Sequence, residues 1–318
     1  MIVTVTINAA LDRTLTVPNF RAGQRHRASR SLTLAGGKGI NVARALKRLD
    51  VPVVATGLAG GATGTRIIEG LTGEAILNDF VRIGDESRTS TAVVDPTSTS
   101  YTEINEWGPM VRPEELEMLM EKLHYLSRGA QAVVFAGSLP RGVEEDFYAE
   151  AVRDLNRRGV ETVLDSEGEP LRRGAEAEPF LVSPNQLEAE GLVGQELNED
   201  EEFLMALDAI ADRGPRNVLI TLESGCFMLV REDRRQRRLH AVAPLVDPVS
   251  AVGSGDVLLA GILAARVAGQ APEEALKWGV AAGTAAILEV GAGRFDPREA
   301  QRLRSRVEVV ELEPVVAE

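Results

Sequence analysis

The sequence is poor in the residues that form disulfides and metal centres. It contains one cysteine, Cys226, and three histidines that lie far apart in the chain. A single cysteine excludes an internal disulfide, and the histidines do not have the spacing of zinc ligands. Because this composition is typical of a reducing compartment, we predict a cytoplasmic location.

Long apolar runs are also absent. No stretch reaches the roughly 20 residues that a membrane-spanning helix needs. The first seven residues alternate in the manner of a β-strand and do not resemble a secretory signal. These features predict a protein without a membrane segment.

Positive charge is scarce relative to negative charge. The chain has 35 Lys and Arg against 48 Asp and Glu, and its formal net charge is -13. An acidic protein is poorly suited to sequence-independent binding of nucleic acid or anionic lipid. We therefore predict no nucleic-acid partner, and any anionic substrate must bind beside a local cluster of basic residues.

The sequence does contain a regular alternation of β-rich and amphipathic helical segments. The β-rich runs are 2–7, 53–58, 131–136, 160–164, 179–183 and 216–222. The helical segments lie near 40–49, 113–126, 145–157, 200–213, 254–268 and 273–289. This alternation is typical of βαβ units, and continuous apolar strands indicate helices on both faces. The prediction is one α/β domain over residues 1–318 with a doubly wound, mostly parallel sheet.

Two segments, 13–35 and 89–105, interrupt this alternation. Within the second, 90–94 and 99–104 have the composition of strands with no helix between them. We predict that the two segments form a small antiparallel β lid beside the carboxyl edge of the main sheet, where it would cover a ligand.

A glycine-containing run at 252–256 leads directly into an apolar helical segment. Small residues at a helix start leave backbone N–H groups free, and the helix dipole favours an anion there. Such a site would stabilise the charge that develops during phosphoryl transfer. The candidate residues are Gly253, Ser254 and Gly255, which supply N–H groups, and Asp256, which would accept the proton of an attacking hydroxyl.

The same run also fits a tight turn in which Asp256 only complements the helix dipole. Its helix-terminal position predicts an ordinary ionised carboxylate. A second glycine-rich run, at 35–43, precedes another helical segment and contains Asn41, which offers both a donor and an acceptor. That run is neither a Walker A loop nor a dinucleotide fingerprint.

These two runs, together with 6–12, resemble the signatures of the PfkB (ribokinase-like) carbohydrate kinases. Within that family they most resemble the 1-phosphofructokinase and tagatose-6-phosphate kinase branch. The match extends through 136–140 and 184–188, and thus over nearly the whole chain. The resemblance implies a ribokinase-like fold that uses ATP and Mg²⁺ to phosphorylate a ketohexose phosphate.

The resemblance also implies the sugar site. Asp12 would accept hydrogen bonds from sugar hydroxyls, and the same pocket would be lined by Gly36, Gly37, Asn41 and Ser138. The phosphate already on the sugar would be held by basic residues of the lid. Arginine suits this task because its planar donors bind phosphate in pairs. The matching positions are Arg25, Arg27 and Arg88, with assistance from Lys38.

The nucleotide site follows from the resemblance as well. Asn185 and Glu188 match an element linked to magnesium, with Glu188 acting through water; their spacing is also that of a capping box. Further nucleotide contacts are implied for Thr221, Gly225 and Val252. Three departures put the nucleotide and monovalent-cation contacts in doubt, namely Ser183, Ser250 and the short turn at 221–225.

Fructose 1-phosphate is the first substrate that the resemblance implies, with tagatose 6-phosphate and fructose 6-phosphate as alternatives. Pairing of lids between two subunits would cover exposed strand edges and predicts a homodimer. A catalytically silent binding protein on the same fold is a second hypothesis, and the retained Asp256 argues against it. A nicotinamide-dependent oxidoreductase also fits the alternation, but the sequence lacks the glycine fingerprint of that class.

Overall fold

The structure, a computed structural model, describes residues 1–98, 100–232 and 235–313. Residue 99, the first of the predicted strand 99–104, and residues 314–318 of the predicted domain lie outside these ranges. The strands are β1 (Ile2–Thr6), β2 (Ala10–Thr16), β3 (Arg30–Gly36), β4 (Val53–Gly60), β5 (Leu77–Ile83), β6 (Arg88–Asp95), β7 (Ser100–Asn105), β8 (Ala132–Ala136), β9 (Glu161–Asp165), β10 (Leu181–Val182), β11 (Asn217–Leu222), β12 (Gly225–Glu232), β13 (Arg235–Val242) and β14 (Glu308–Leu312).

The helices occupy the intervals that the sequence pattern indicates, together with several that it does not. They are α1 (Lys38–Arg48), α2 (Gly61–Gly73), α3 (Pro113–Leu126), α4 (Phe147–Arg157), α5 (Gly168–Ala175), α6 (Gln186–Val193), α7 (Asp200–Ala211), α8 (Ser254–Val267), α9 (Pro272–Ala286) and α10 (Pro297–Arg304). Within the described residues, none of these helices is both long enough and apolar enough to cross a membrane.

The main sheet of the described chain has ten strands in the order β14-β13-β12-β11-β10-β9-β8-β1-β4-β5. From β11 to β5 every neighbouring pair is parallel, and the three pairs at the other edge are antiparallel. Buried apolar residues cover both faces. One face packs against α1, α2, α8, α9 and α10, and the other packs against α3 to α7. The predicted doubly wound α/β class is confirmed.

A second sheet, which we call the small sheet, contains the four strands β3-β2-β6-β7. Its two outer pairs are antiparallel, as predicted, whereas its central pair, β2 and β6, is parallel. The parallel pair arises because β6 follows the long excursion through α1, β4, α2 and β5, and therefore enters beside β2 in the same direction. The register places Asp12 opposite Ser90 on one side and Leu34 on the other.

Candidate active site

An open cleft runs along the carboxyl-terminal ends of the parallel strands. Its walls come from the residues after β1, β8, β9, β10 and β11, from the first turns of α1 and α8, and from one face of the small sheet. The strand order reverses between β1 and β8, which is where open α/β sheets bind ligands. At this point Asn8 Nδ2 donates a 3.1 Å hydrogen bond to Oγ of Ser138, so the two strand ends are joined.

Asp256 lies in the first turn of α8, at the floor of this cleft, and is only 6% exposed. The helix begins after Gly253, whose φ of 76° is in the left-handed region, and a Cβ at this position would lie 2.8 Å from Cβ of Ala292. Glycine is therefore required where the chain turns into the helix. Nδ2 of Asn41 donates a 2.8 Å hydrogen bond to Oδ2 of Asp256. The other oxygen, Oδ1, accepts no hydrogen bond from the described residues.

The protonation of Asp256 differs from the sequence-based expectation. Burial, reinforced by the nearby carboxylate of Asp165, raises the pKa of Asp256 to about 7, while Lys38 and the Asn41 amide oppose the shift. The prediction of an ordinary ionised carboxylate was therefore wrong, because desolvation outweighs the position at a helix start. A carboxylate with a raised pKa is a stronger proton acceptor, which is the property a general base needs.

The predicted anion site is formed by fewer free donors than expected. The Ser254 N–H and hydroxyl both donate to the Ala251 carbonyl, at 3.2 and 2.9 Å. The N–H groups of Gly253 and Gly255 have no acceptor in the part of the chain that the structure describes, and both residues line the cleft. Two backbone donors beside Asp256 are thus available to an anion at the helix N-terminus.

Asp12 projects from β2 of the small sheet into the same cleft. Burial raises its pKa to about 6, although Arg88 and Arg44 lower it. A Cβ at Gly36 would lie 1.9 Å from Oδ2 of Asp12. The carboxylate therefore occupies the space that the side chain of any other residue type at position 36 would fill. A φ of 109° at Gly37 then turns the chain into α1. Asp12, Gly36, Gly37 and Asn41 are therefore brought to one place, as the resemblance implies.

Lys38, the first residue of α1, lies between two carboxylates. Its Nζ is 2.7 Å from Oδ1 of Asp165 and 3.1 Å from Oε1 of Glu188, and its side chain is 34% exposed. Burial lowers the pKa of Lys38, but these two carboxylates outweigh it and hold the pKa above its usual range. Burial also raises the pKa of Glu188, against the effect of Lys38. The lysine thus joins α1 to the end of β9 and to the first turn of α6.

Asn185 and Glu188 form the capping box that their spacing indicates. Oδ1 of Asn185 accepts a 2.9 Å hydrogen bond from the Glu188 N–H, and Oε2 of Glu188 accepts a 2.8 Å bond from the Asn185 N–H. Both groups line the cleft. The cap stabilises the start of α6 and also fixes the Glu188 carboxylate beside Lys38.

The predicted phosphate-binding arginines lie in different places. Arg88, at the start of β6, lines the cleft, and its Nε donates a 3.3 Å hydrogen bond to the Asn8 carbonyl. Arg25 and Arg27 lie on the exposed connection between β2 and β3 and do not line the cleft within the described chain. Their role in binding a phosphate stays a prediction.

The far end of the cleft is formed by the predicted nucleotide residues and by apolar groups. Thr221, Gly225 and Val252 all line it, and a Cβ at Gly255 would lie 4.0 Å from Oγ1 of Thr221, so this end adjoins the anion site. Ser183 lines the same region and is buried. The apolar wall contains Val242, Ala243, Pro244, Leu245, Val246, Val280 and Ile287. Its composition suits the flat face of a heterocyclic base.

Several cleft residues were missed by the sequence interpretation. Asp165 ends β9 and is buried against Lys38; its place at the end of an apolar strand was the available signal. Arg141 also lines the cleft; its Nε donates a 2.8 Å hydrogen bond to the Gly108 carbonyl, and its Nη2 lies 3.5 Å from Oδ2 of Asp85. Trp107 stands at the cleft rim with 87% of its surface exposed. No local pattern marks Arg141 or Trp107.

The fold and this cleft are those of a sugar kinase, and comparison with known proteins agrees. A family model described as pfkB family carbohydrate kinase matches residues 3–299. The chain belongs to this family, and its reaction class is therefore phosphoryl transfer to an alcohol group.

Individual relatives cover almost all of the chain. A 1-phosphofructokinase of Borreliella burgdorferi is 32% identical over 308 residues, which are 97% of this chain and 98% of that protein. A tagatose-6-phosphate kinase of Staphylococcus epidermidis is 30% identical over 316 residues, covering 98% of this chain and all of the relative (100%). The crystal structure of Escherichia coli phosphofructokinase-2 in complex with fructose-6-phosphate is 28% identical, covers 96% of this chain and 98% of that one, and has a TM-score of 0.87.

Proposed function

We propose that this protein transfers the γ-phosphoryl group of ATP to a primary hydroxyl of a ketohexose phosphate, with fructose 1-phosphate as the first choice and fructose 1,6-bisphosphate as the product. The observation that carries the proposal is the buried Asp256, which has one oxygen held by Asn41 and the other free beside two backbone N–H donors. A binding protein would have no use for a base in that position.

The reaction follows from this arrangement. The sugar hydroxyl oxygen attacks the γ-phosphorus, the bond from that phosphorus to the β–γ bridging oxygen breaks, and ADP leaves. The hydroxyl proton passes to Oδ1 of Asp256. The free N–H groups of Gly253 and Gly255 stabilise negative charge on the transferred group, which is the main contribution a protein makes to phosphoryl transfer.

A phosphorylated sugar is favoured over a free one by the charges at the sugar end. Asp12 accepts hydrogen bonds from the sugar hydroxyls, while Arg88 and Arg141 line the same cleft and supply counter-charge to a phosphate on the sugar. In an acidic protein this pair of arginines is the local basic cluster that an anionic substrate requires. Relatives named 1-phosphofructokinase and tagatose-6-phosphate kinase support the same substrate class.

The residues at the nucleotide end fit a magnesium–ATP complex. Among the described residues no cluster of three or more acidic, histidine or cysteine side chains is arranged to hold a metal by itself. Mg²⁺ commonly keeps several waters and binds substrate phosphates with few carboxylates. Glu188, fixed by its capping box, and the adjacent Asp165 would hold that hydrated ion, which when bound neutralises the phosphate charge.

We further propose that the small sheet acts as a lid over the sugar and pairs with its copy in a second subunit. The cleft-side face of this sheet carries partly exposed apolar side chains, among them Leu32, Leu34 and Val94. Burial of that face against a second copy would remove apolar surface from water. One related structure is described as the tetrameric inhibited form of E. coli phosphofructokinase-2.

Light scattering tests the proposed dimer. We expect a particle of twice the chain mass of 34.2 kDa. A stable monomer at the protein concentrations of the assay would contradict the proposal.

A coupled ADP-release assay tests the substrate. We expect the highest kcat/KM with fructose 1-phosphate, compared with tagatose 6-phosphate, fructose 6-phosphate and the corresponding free sugars. A preference for either of the other two phosphates would replace the first choice within the same class. A clear preference for an unphosphorylated sugar or a nucleoside would overturn the sugar-phosphate proposal.

A further inference from the structure

Arg44 is a fully buried arginine that no sequence motif assigned to the site. It lies on α1 and is 2% exposed, although an isolated buried charge is strongly unfavourable. Its guanidinium is paired with Glu74 through two hydrogen bonds, from Nε at 2.5 Å and from Nη2 at 2.8 Å. Nη2 also donates to the Ala35 carbonyl at 2.6 Å.

The remaining donors of Arg44 reach the active site. Nη1 donates to Oδ1 of Asn41 at 3.1 Å and to the Ala292 carbonyl at 3.0 Å. The five N–H groups of an arginine therefore correspond to five acceptors. Four of these acceptors lie outside α1, on the turn after α2, the end of β3 and the loop before α10, so the side chain is held in one orientation.

The bond to Oδ1 sets the direction of the Asn41 amide. An asparagine presents an oxygen on one side and an NH₂ group on the other. Because Arg44 holds the oxygen, Nδ2 faces Asp256 and donates to its Oδ2. If the amide rotated by half a turn, Asn41 would present its oxygen to the carboxylate, and the interaction would become repulsive.

We propose that Arg44 is a positioning residue for phosphoryl transfer: by holding Oδ1 of Asn41, it keeps Nδ2 directed at Asp256 and so keeps this base oriented. The proposal rests on the proposed role of Asp256. Arg44 makes no hydrogen bond to Asp256 itself, so its effect passes through Asn41. Its contact with the Ala35 carbonyl, one residue before Gly36, also anchors β3 where the small sheet joins α1.

Other charged groups near Asp256 stay in place when Arg44 is changed. They are Asp165 from β9, Lys38 from α1 and Asp12 from β2. Asp165 and Lys38 do not contact Arg44, and the Arg44 charge is balanced by Glu74. The positive charge of Arg44 also lowers the pKa of Asp12, and Arg44→Lys keeps that charge. A change in the titration of Asp256 in an Arg44 variant therefore reports mainly the loss of the Asn41 donor.

The test variant is Arg44→Lys, which keeps the positive charge for Glu74 but loses the planar fork that reaches Asn41. The matched control is Arg48→Lys, one turn further along α1. Arg48 donates a 2.9 Å hydrogen bond to the Phe295 carbonyl, close to Ala292, and does not touch Asn41. We expect Arg44→Lys to lower kcat by at least about tenfold with less than about a threefold change in the sugar KM. Arg48→Lys should leave both values within about twofold.

A double-mutant cycle with Asn41→Ala separates positioning from general destabilisation. If Arg44 acts through Asn41, Arg44→Lys has little further effect on kcat when residue 41 is already alanine. An equal loss in both backgrounds would overturn the proposal, as would a folded Arg44→Lys protein with unchanged kcat. Should Arg44→Lys fail to fold, Glu74→Gln provides a second variant. The glutamine keeps one oxygen acceptor for Arg44 but removes the other, so the guanidinium is held less firmly. We expect Glu74→Gln to lower kcat to a smaller extent than Arg44→Lys.

A measurement without substrate distinguishes this proposal from the proposed function. The pKa of Asp256 is followed in the free protein by ¹³C-carboxyl NMR. Loss of the Asn41 donor should raise this pKa by about half a unit or more in Arg44→Lys and leave it unchanged in Arg48→Lys. An unchanged pKa in Arg44→Lys would contradict the positioning role whatever the substrate. A wild-type protein that phosphorylates none of the tested sugars would instead contradict the proposed function.

Discussion

Asn41 and Asp256, 215 positions apart in the chain, are joined by a 2.8 Å hydrogen bond from Nδ2 to Oδ2. The bond connects the first turns of α1 and α8, the two helices that begin at the cleft. It occupies one carboxylate oxygen and leaves the other for a substrate hydroxyl. The orientation of Asp256, the proposed base, is thus linked to a contact between the two glycine-rich runs and to Arg44, which holds Asn41.

Replacement of Asp256 by asparagine tests the base directly. The amide keeps the shape of the side chain and can still accept the Asn41 hydrogen bond, but it cannot take up the hydroxyl proton. We expect kcat to fall by about 10²–10⁴-fold, the usual contribution of a general base. Binding of ATP and of the sugar phosphate, measured by calorimetry, should change by less than about threefold. Asp50→Asn, in the exposed turn after α1, is the control, and near-normal turnover of Asp256→Asn would refute the assigned role.

The raised pKa of Asp256 also predicts a pH-dependent stability effect. In the folded protein this carboxyl binds a proton up to about pH 7, whereas in the unfolded chain it releases the proton near its ordinary pKa of 3.8. The folded state therefore holds more protons between these values, and the contribution of Asp256 to the free energy of unfolding declines as pH rises through that window.

Asp256→Asn removes this ionisation. We expect the variant to be more stable than wild type at pH 8 by at least about 1 kcal/mol, and the difference to shrink towards pH 5. Chemical denaturation at both pH values measures it. A difference of the same size at pH 5 and pH 8 would show that desolvation of the carboxylate is not the cause.

Lys38→Met should leave two largely buried carboxylates, Asp165 and Glu188, without their counter-charge. Because the lysine is about one-third exposed, we expect a loss of only about 1–3 kcal/mol in the free energy of unfolding. The loss should be larger at pH 8 than at pH 5, since burial raises the pKa of Glu188 and protonation relieves this carboxylate once the lysine is gone. Lys47→Met, near the end of the same helix, is the control. Equal losses of stability in the two variants would show that the ion pairs of Lys38 do not stabilise the fold.

Arg88→Met should weaken binding of the sugar phosphate specifically. Loss of a charge-assisted hydrogen bond to phosphate costs about 1.5–3 kcal/mol, which corresponds to a rise in the sugar-phosphate KM of roughly 10- to 100-fold. The KM for ATP should change little, because Arg88 lies at the other end of the cleft from Thr221 and Gly225. Arg66→Met, on the exposed surface of α2, provides the control. Equal weakening of ATP and sugar would contradict a role at the sugar phosphate.

The sequence predicted the alternating core well because buried parallel strands and amphipathic helices have strong local patterns. It did not predict the antiparallel edge. β13, for example, contains three arginines and one histidine among its eight residues and has no continuous apolar run. It forms a strand because β12 and β14 pair with it on either side, with Leu239 and Ala241 packed into the core. Such pairing depends on distant segments and leaves little local signal.

The site shows the same division between local pattern and tertiary contact. Gly36, Gly37, Gly253 and Asp256 could be recognised from the chain alone, because a close approach of the backbone and a helix start require these residue types over a short stretch. Asp12 was implied only by the resemblance to the family. The burial that raises the pKa of Asp256, the ion pairs of Lys38 and the enclosure of Arg44 could not be recognised from the chain alone. Each depends on groups more than a hundred positions away, or on removal from water, and neither follows from a short stretch of sequence. The amino-acid pattern is thus sufficient for the family and the candidate base, whereas folding sets the direction and proton affinity of that base.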